Sequence, residues 1–147
     1  NALLSRDNPS SQFATAFFGV LNLRTGEFQY CNCGHNAPLL VSPSEIMVKL
    51  PATGLPLGLY ENRMPDVMTT QMRPGDTAVL FTDGVTEATN VHGEEFGDQR
   101  LHRAIFDNLS ATPEILIARL FSAVDDFAHG AEQSDDITCI ALSLAPR

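Results

Sequence analysis

Acidic residues stand at the ends of two apolar segments of this 147-residue sequence. Asp83 and Gly84 come just after the run AVLF at 78–81, and Asp135 and Asp136 directly precede the run that starts at Ile137. A buried strand has no use for a carboxylate at its tip unless something there requires negative charge. If the two runs are neighbouring antiparallel strands, the end of the first lies beside the start of the second. The carboxylates would then meet at one edge of the sheet.

Acids gathered at one edge repel each other and raise each other's pKa unless a cation neutralises them. Carboxylate and backbone oxygens are hard ligands, which suit Mg²⁺ or Mn²⁺ rather than zinc. Gly84 would let the backbone approach such an ion without a side chain in the way. Two such ions would activate a water and stabilise charge on a phosphoryl oxygen. Spacing alone leaves a plainer alternative open, since Asp-Gly is a common turn and Asp is a common cap.

Composition limits the classes of function. The net charge of −9 argues against non-specific binding to nucleic acid and against docking on an anionic membrane. No apolar stretch approaches the roughly 18 residues of a membrane span. The three cysteines, an odd number without a secretory signal, favour reduced thiols and a cytoplasmic location. The length favours one domain over residues 1–147, or a large part of a domain.

Strands dominate the first half of the sequence. Residues 13–23 and 28–33, joined by a turn at RTGE, predict a β-hairpin. The stretch GHNAPLLV leads into a short strand that pairs with IMVKL, and 51–66 is a loop with turns. TAVLFT is nearly all apolar, which is typical of a strand covered on both faces. Three phenylalanines in these segments are predicted to be core residues: Phe17, Phe18 and Phe81.

Two helices and a last strand follow. Leu101, Ala104, Ile105 and Leu109 have helical spacing. A longer helix begins with Thr112 as its cap and Pro113 in its first turn, and Gly130 ends it. Its apolar stripe consists of Leu116, Leu120, Phe121, Val124 and Phe127. ITCIALSL predicts the last strand. Strands followed by helices indicate an α+β fold with antiparallel sheets.

Several of these segments together resemble one family. FATAFFGVLNLRTGEFQYCNCGHNAPLLV, GLPLGL, RPGDTAVLFTDGVTEATNVHGEEFG and SDDIT occur in that order, from about Phe13 to Leu144. They are similar to the later part of a PPM-type metal-dependent serine/threonine protein phosphatase domain, in its bacterial SpoIIE/RsbU-like branch. The resemblance implies a four-layer α-β-β-α sandwich of antiparallel sheets. It also implies two Mn²⁺ or Mg²⁺ ions and a metal-bridging water that attacks the phosphorus directly.

The resemblance also implies roles for individual residues. Asp83 matches a metal-ligating Asp in a TDG motif, and Gly84 is a backbone element of the same site. Asp135 matches the ligating Asp of the last motif, and Asp136 takes the position of an Asn in related branches, so the two acids can exchange roles. His35, in a family turn motif, is a candidate to support the site. Apart from the resemblance, Glu87 lies four residues beyond Asp83 and is a candidate to orient a metal-bound water. An exposed Glu at a turn is the plainer interpretation of Glu87.

The resemblance extends to partners. It implies a phosphorylated protein substrate such as an anti-anti-sigma factor, in the regulation of sigma-factor partner switching, and an upstream sensor or receiver domain. The family's first metal motif, a Gly-Asp followed by Ser-Gly-His-Gly, is not in the sequence. We therefore expect a portion of a larger protein that carries only part of the metal site. An exposed sheet edge left by such a portion would favour a homodimer.

Two alternatives to a phosphatase stay open at this point. The first is a non-catalytic regulatory module that keeps the phosphatase scaffold to bind a partner, and the second is an α+β binding domain without metal. A separate zinc hypothesis concerns Cys31, Cys33 and His35, because alternate residues of a strand share one face. Structural zinc needs four ligands and no second Cys/His pair follows, so small buried thiols are the preferred interpretation.

Overall fold

The computed structural model describes residues 1–6, 8, 10–44, 47–133 and 135–145. The chain divides into two compact units, Asn1–Ala37 with Lys49–Arg73, and Pro38–Val48 with Pro74–Arg147. The first unit is built on a three-stranded antiparallel sheet and the second on a four-stranded antiparallel sheet. The expectation of a single domain over residues 1–147 stays a prediction.

The first unit contains the predicted β-hairpin. It is made of α1 (Ala2–Arg6), β1 (Ala16–Leu21), β2 (Glu27–Cys33) and β5 (Met68–Gln71), with the strands in the order β1-β2-β5. The hairpin is antiparallel, with Ala16 opposite Cys33. Phe28 and Tyr30 alternate with exposed residues and are buried, because successive side chains of a strand point to opposite faces. The hairpin prediction is confirmed.

One expectation about the first unit was wrong, and one strand was missed. Phe18 is not a core residue, since 66% of its surface is exposed. Its neighbour Phe17 packs on the ring of Tyr30 at 5.5 Å, and Phe18 therefore points to the opposite face of the edge strand β1. The strand β5 was not predicted at all. It pairs with β2, so that Gln71 lies opposite Glu27.

The second unit contains β3 (Leu39–Val41), β6 (Thr77–Phe81), β7 (Cys139–Ser143) and β4 (Met47–Lys49) up to Val48, in the order β4-β3-β6-β7. The predicted pairing of IMVKL with the strand before it is confirmed for β4, whereas Ile46 lies outside the described residues. Nearly every residue of β3 and β6 is buried. The prediction that TAVLFT is covered on both faces is confirmed.

Three helices complete the second unit: α2 (Asp83–Thr86), α3 (Gly97–Phe106) and α4 (Pro113–Ala128). The hydroxyl of Thr112 accepts a hydrogen bond from the Ile115 N–H, as predicted for the cap of α4. The core brings together apolar side chains of both helices and of the sheet, namely Leu39, Val41, Val79, Phe81, Leu101, Ile105, Leu116, Leu120 and Val124. Among the described residues, no helix has the length and apolar character that a membrane crossing requires.

Cys139 links the start of β7 to this core. The thiol packs at its margin, and burial raises its pKa from the ordinary value of 9.0 to about 11. Between these two values the native thiol keeps a proton that the unfolded thiol has lost. The native state therefore binds more protons, and the free energy of unfolding falls as the pH rises through this interval.

We predict that Cys139→Ala removes this part of the alkaline destabilisation. Thermal melts under reducing conditions should show the melting temperature of the wild type falling more steeply between about pH 9 and pH 11 than that of the variant. The comparison of slopes is independent of the cavity that Ala creates, because that cost is present at every pH. Parallel slopes would contradict the assignment.

Candidate metal site

The two acidic motifs lie at the same end of the second unit's sheet. β6 and β7 pair in antiparallel fashion, from Thr77 opposite Ser143 to Phe81 opposite Cys139. The same register, continued past Phe81, brings Asp83 level with Ile137 and Gly84 level with Asp136. The segment that leaves β6 and the segment that enters β7 therefore run side by side, as their positions in the sequence suggested.

Hydrogen bonds hold the two segments together beyond the last paired residues of the strands. The N–H of Thr82 donates to the carbonyl oxygen of Thr138 at 3.0 Å. The Thr82 hydroxyl accepts from the Thr138 N–H at 3.0 Å and donates to the carbonyl oxygen of Asp136 at 2.9 Å. Thr82 is not recognisable as a site residue from the sequence, since a threonine at a strand end is an ordinary β-former.

Gly84 is needed here for space. It is buried, and a Cβ at this position would lie 2.5 Å from the carbonyl oxygen of Asp136 and 2.9 Å from its carbonyl carbon. Its φ is not in the left-handed region, so backbone conformation is not the reason for glycine. From the sequence, Gly84 was predicted to let the backbone approach a metal ion. The structure adds a reason that needs no metal, the close packing of two backbone segments.

The carboxylates themselves are exposed. Asp83 accepts a hydrogen bond from the Gly84 N–H at 3.1 Å through Oδ1, and Asp135 accepts one from the Asp136 N–H at 2.7 Å through Oδ1. Gln133 donates from Nε2 to the carbonyl oxygen of Asp135 at 2.7 Å, which orders the segment before β7. Within the described ranges, no Lys or Arg forms an ion pair with Asp83, Asp135 or Asp136. Their charges are therefore left to solvent or to a bound cation.

The types of ligand atom at the strand ends suit a hard divalent cation, but there are too few of them to complete a coordination shell. They are carboxylate and carbonyl oxygens, the ligands that Mg²⁺ and Mn²⁺ prefer. Across the described residues, no group of three or more His, Cys, Asp or Glu side chains is arranged to hold a metal ion. Asp83, Asp135 and Asp136 can supply ligands, and a closed coordination shell requires further ones.

The two supporting candidates occupy different surroundings. Glu87 is exposed at the C-terminal end of the short helix α2, where its N–H donates to the carbonyl oxygen of Asp83 at 2.8 Å. His35 belongs to the first unit and is half-buried. Its N–H donates to Oδ1 of Asn32 at 2.8 Å, and its carbonyl oxygen accepts from Nδ2 of Asn32 at 3.0 Å. The backbone of His35 is thus fixed within its turn.

Asn32 is a buried polar residue that the sequence analysis did not single out. It is completely buried, and Nδ2 also donates to the carbonyl oxygen of Leu50 at 3.2 Å. Its main chain bonds to Thr53, through N–H to the hydroxyl and through the carbonyl to the N–H. The CNCGH stretch is therefore organised around Asn32. Burial raises the pKa of the adjacent Cys33 thiol, in keeping with small core thiols.

A cavity of about 290 Å³ opens beside the acids of the second unit. Gly84 and Asp135 line it together with residues from the end of α4 and the segment after it, among them Asp125, His129 and Glu132. Asp83 does not line the cavity. The space is therefore adjacent to the strand ends and is bordered by negative charge.

The sequence matches one family model over nearly its whole length. The model for Stage II sporulation protein E (SpoIIE) matches residues 1–145, nearly the full chain. The chain belongs to the SpoIIE family. The resemblance stated from the motifs is thereby confirmed. The mixed fold with two antiparallel sheets matches solved PPM-type phosphatase domains, of which the chain covers only part.

Individual relatives agree with the family assignment. The SpoIIE-family chain is 36% identical to protein IcfG of Synechocystis over 90% of its own length and 21% of IcfG. It is 26% identical to the phosphoserine phosphatase RsbU of Bacillus subtilis over 97% of its own length and 42% of RsbU. The phosphatase domain of SpoIIE from Bacillus subtilis, in a Mn-presoaked structure, superposes with a TM-score of 0.70 at 17% identity, covering 97% of the chain and 60% of that domain. The chain thus spans less than half of these two curated relatives.

We predict that Gly84→Ala destabilises the second unit by about 1–3 kcal/mol, because the new methyl group overpacks the Asp136 carbonyl. Chemical denaturation measures the loss, and amide chemical shifts of Asp136 and Ile137 report its location. Gly93→Ala is the control, since Gly93 has a φ of 75° but no atom within 4 Å of a Cβ. The control should cost about 1 kcal/mol through backbone strain and leave those shifts unchanged. A Gly84→Ala variant as stable as the wild type would contradict the packing role.

Proposed function

We propose that this chain supplies part of the divalent-metal site of a protein phosphatase that hydrolyses phosphoserine or phosphothreonine on a regulatory protein. The observation that carries the proposal is that the segment leaving β6, with Asp83, runs beside the segment entering β7, with Asp135 and Asp136, and that no Lys or Arg of the described residues pairs with these acids. Membership of the SpoIIE family supports the reaction class. The relative RsbU is a phosphoserine phosphatase, which supports the substrate class.

The chain's own residues have defined tasks in this proposal. Asp83 and Asp135 provide carboxylate ligands from two different segments, and Asp136 stands beside them as a neighbour that can take over a ligand role. Gly84 and Thr82 keep the two segments in contact through the Asp136 carbonyl. When bound, a divalent cation lowers the pKa of water and stabilises the charge of a phosphoryl oxygen.

The reaction is the hydrolysis of a phosphomonoester. A water oxygen forms a bond to phosphorus, the bond from phosphorus to the serine or threonine oxygen breaks, and the protein hydroxyl and inorganic phosphate are released. The cavity beside Gly84 and Asp135 is a place in which a phosphorylated side chain could approach the acids. The family's two ions, Mn²⁺ or Mg²⁺, and an anti-anti-sigma factor as substrate remain part of the proposal, as do an upstream regulatory domain and a homodimer.

A non-catalytic module that binds a partner is the second candidate. It is favoured by one observation, that the described residues bring no three potential metal-ligating side chains together. In this case the acids at the strand ends would bind a cation weakly or serve only a structural purpose. Cation binding and phosphate release separate the two candidates.

We predict that the chain binds Mn²⁺ and that Asp83→Asn weakens the binding by at least about tenfold, because one charged ligand is lost. Isothermal titration calorimetry measures the affinity. Asp126→Asn is the matched control, since it makes the same change of charge at an exposed position of α4 and should leave the affinity within about twofold. Equal effects of both substitutions would indicate general electrostatic attraction and contradict the site.

Hydrolysis of an aryl phosphate and of a phosphoserine peptide then decides between catalysis and partner binding. Mn²⁺-dependent release of phosphate that Asp83→Asn abolishes supports a phosphatase that this chain can operate. Binding of Mn²⁺ without release supports a partial site or a regulatory module. The absence of any Mn²⁺ binding would contradict the proposed function.

A further inference from the structure

Thr82 is the single residue between the end of β6 and the start of α2. Thr82 precedes α2 as its cap residue, with φ of −84° and ψ of 161°, an extended conformation that continues the strand. A threonine in this position commonly accepts a hydrogen bond from an N–H in the first turn of the helix. Thr82 makes no such side-chain bond. Its hydroxyl is therefore engaged elsewhere.

The Thr82 hydroxyl replaces the Thr82 carbonyl as the acceptor for the Thr138 N–H. In an antiparallel pair of this kind, Thr82 and Thr138 would exchange two N–H to carbonyl bonds. The first of them is present, from the Thr82 N–H to the Thr138 carbonyl oxygen at 3.0 Å. The carbonyl of Thr82 instead accepts from the Val85 N–H at 3.1 Å, because the chain has turned into α2. The Thr138 N–H donates to the Thr82 hydroxyl at 3.0 Å in its place.

The same hydroxyl also fixes the segment that carries Asp135 and Asp136. It donates its proton to the Asp136 carbonyl oxygen at 2.9 Å. The same oxygen would lie 2.5 Å from a Cβ atom at position 84, so no side chain fits there. The Asp136 carbonyl thus accepts a hydrogen bond from Thr82 and packs closely on Gly84, the two residues on either side of Asp83.

We propose that Thr82 is a positioning residue for the metal site: through its hydroxyl it extends the β6–β7 register past the last paired residues and sets the distance between the two acidic motifs. The inference rests on the proposed function for its consequence, cation affinity. Its structural part, the replacement of a backbone bond by the hydroxyl, can be tested without a metal. Thr82 itself donates no ligand.

The test compares Thr82→Val with Thr82→Ser. Val keeps the shape and the β-branch but removes both hydroxyl bonds, and Ser keeps the hydroxyl. We expect amide hydrogen exchange at Thr138 to accelerate in Thr82→Val and to stay close to wild type in Thr82→Ser. Mn²⁺ affinity should fall by about tenfold or more in Thr82→Val and return to within a few-fold of wild type in Thr82→Ser.

Thr77→Val is the matched control. The Thr77 hydroxyl bonds to that of Ser143 across the same two strands, at 2.5 Å, but at the end of β6 away from the acids. It should destabilise the β6–β7 pair while leaving Mn²⁺ affinity within about twofold of wild type, since it alters no group near the strand ends. Equal losses of affinity in Thr77→Val and Thr82→Val would mean that general stability is responsible, and would overturn the inference.

The two arms keep this inference separate from the proposed function. If the wild type binds no Mn²⁺, the proposed function fails, and the exchange data alone decide the role of Thr82. Faster exchange at Thr138 in Thr82→Val, rescued by Thr82→Ser, supports the role. Unchanged exchange at Thr138 overturns it, whatever the metal affinity.

Discussion

The Asp136 carbonyl oxygen is the point on which the candidate site depends. It accepts the Thr82 hydroxyl at 2.9 Å and packs against Gly84 so closely that a methyl group there would lie 2.5 Å away. Neither contact is made by a carboxylate, yet both involve the backbone from which the carboxylates extend. Carboxylates at an exposed edge do not attract each other, because like charges repel. The uncharged backbone contacts hold them there instead.

The core of the second unit provides the rigid base for this arrangement. β6 is buried between its neighbours in the sheet and under the helices α3 and α4, so its position is set by many apolar contacts. The site itself lies just outside this core, where the strands end and the residues become exposed. The side chains of Asp83, Asp135 and Asp136 are therefore exposed to solvent, whereas the strands from which their segments extend are anchored in the buried core.

Much of this could be predicted from the sequence, and the failures have physical reasons. The hairpin β1–β2, the helix α4 with its Thr112 cap, and the buried strand β6 follow from strong local patterns. β5 gives no such pattern, since only Thr70 of its four residues is half-buried. α2 is too short to show a helical period. Asn32 and Thr82 act through bonds to residues far along the chain, 18 and 54 positions away, which spacing does not reveal.

The central claim is that a divalent cation binds where β6 ends and β7 begins. Paramagnetic broadening tests it most directly, because substoichiometric Mn²⁺ weakens the amide signals of residues near the ion. We predict that broadening centres on the amides around Asp83 and Gly84 and around Asp135 and Asp136, and that Asp83→Asn removes it. Broadening spread evenly over exposed acids such as Glu61, Glu94 and Asp126, with no focus at the strand ends, would contradict the claim.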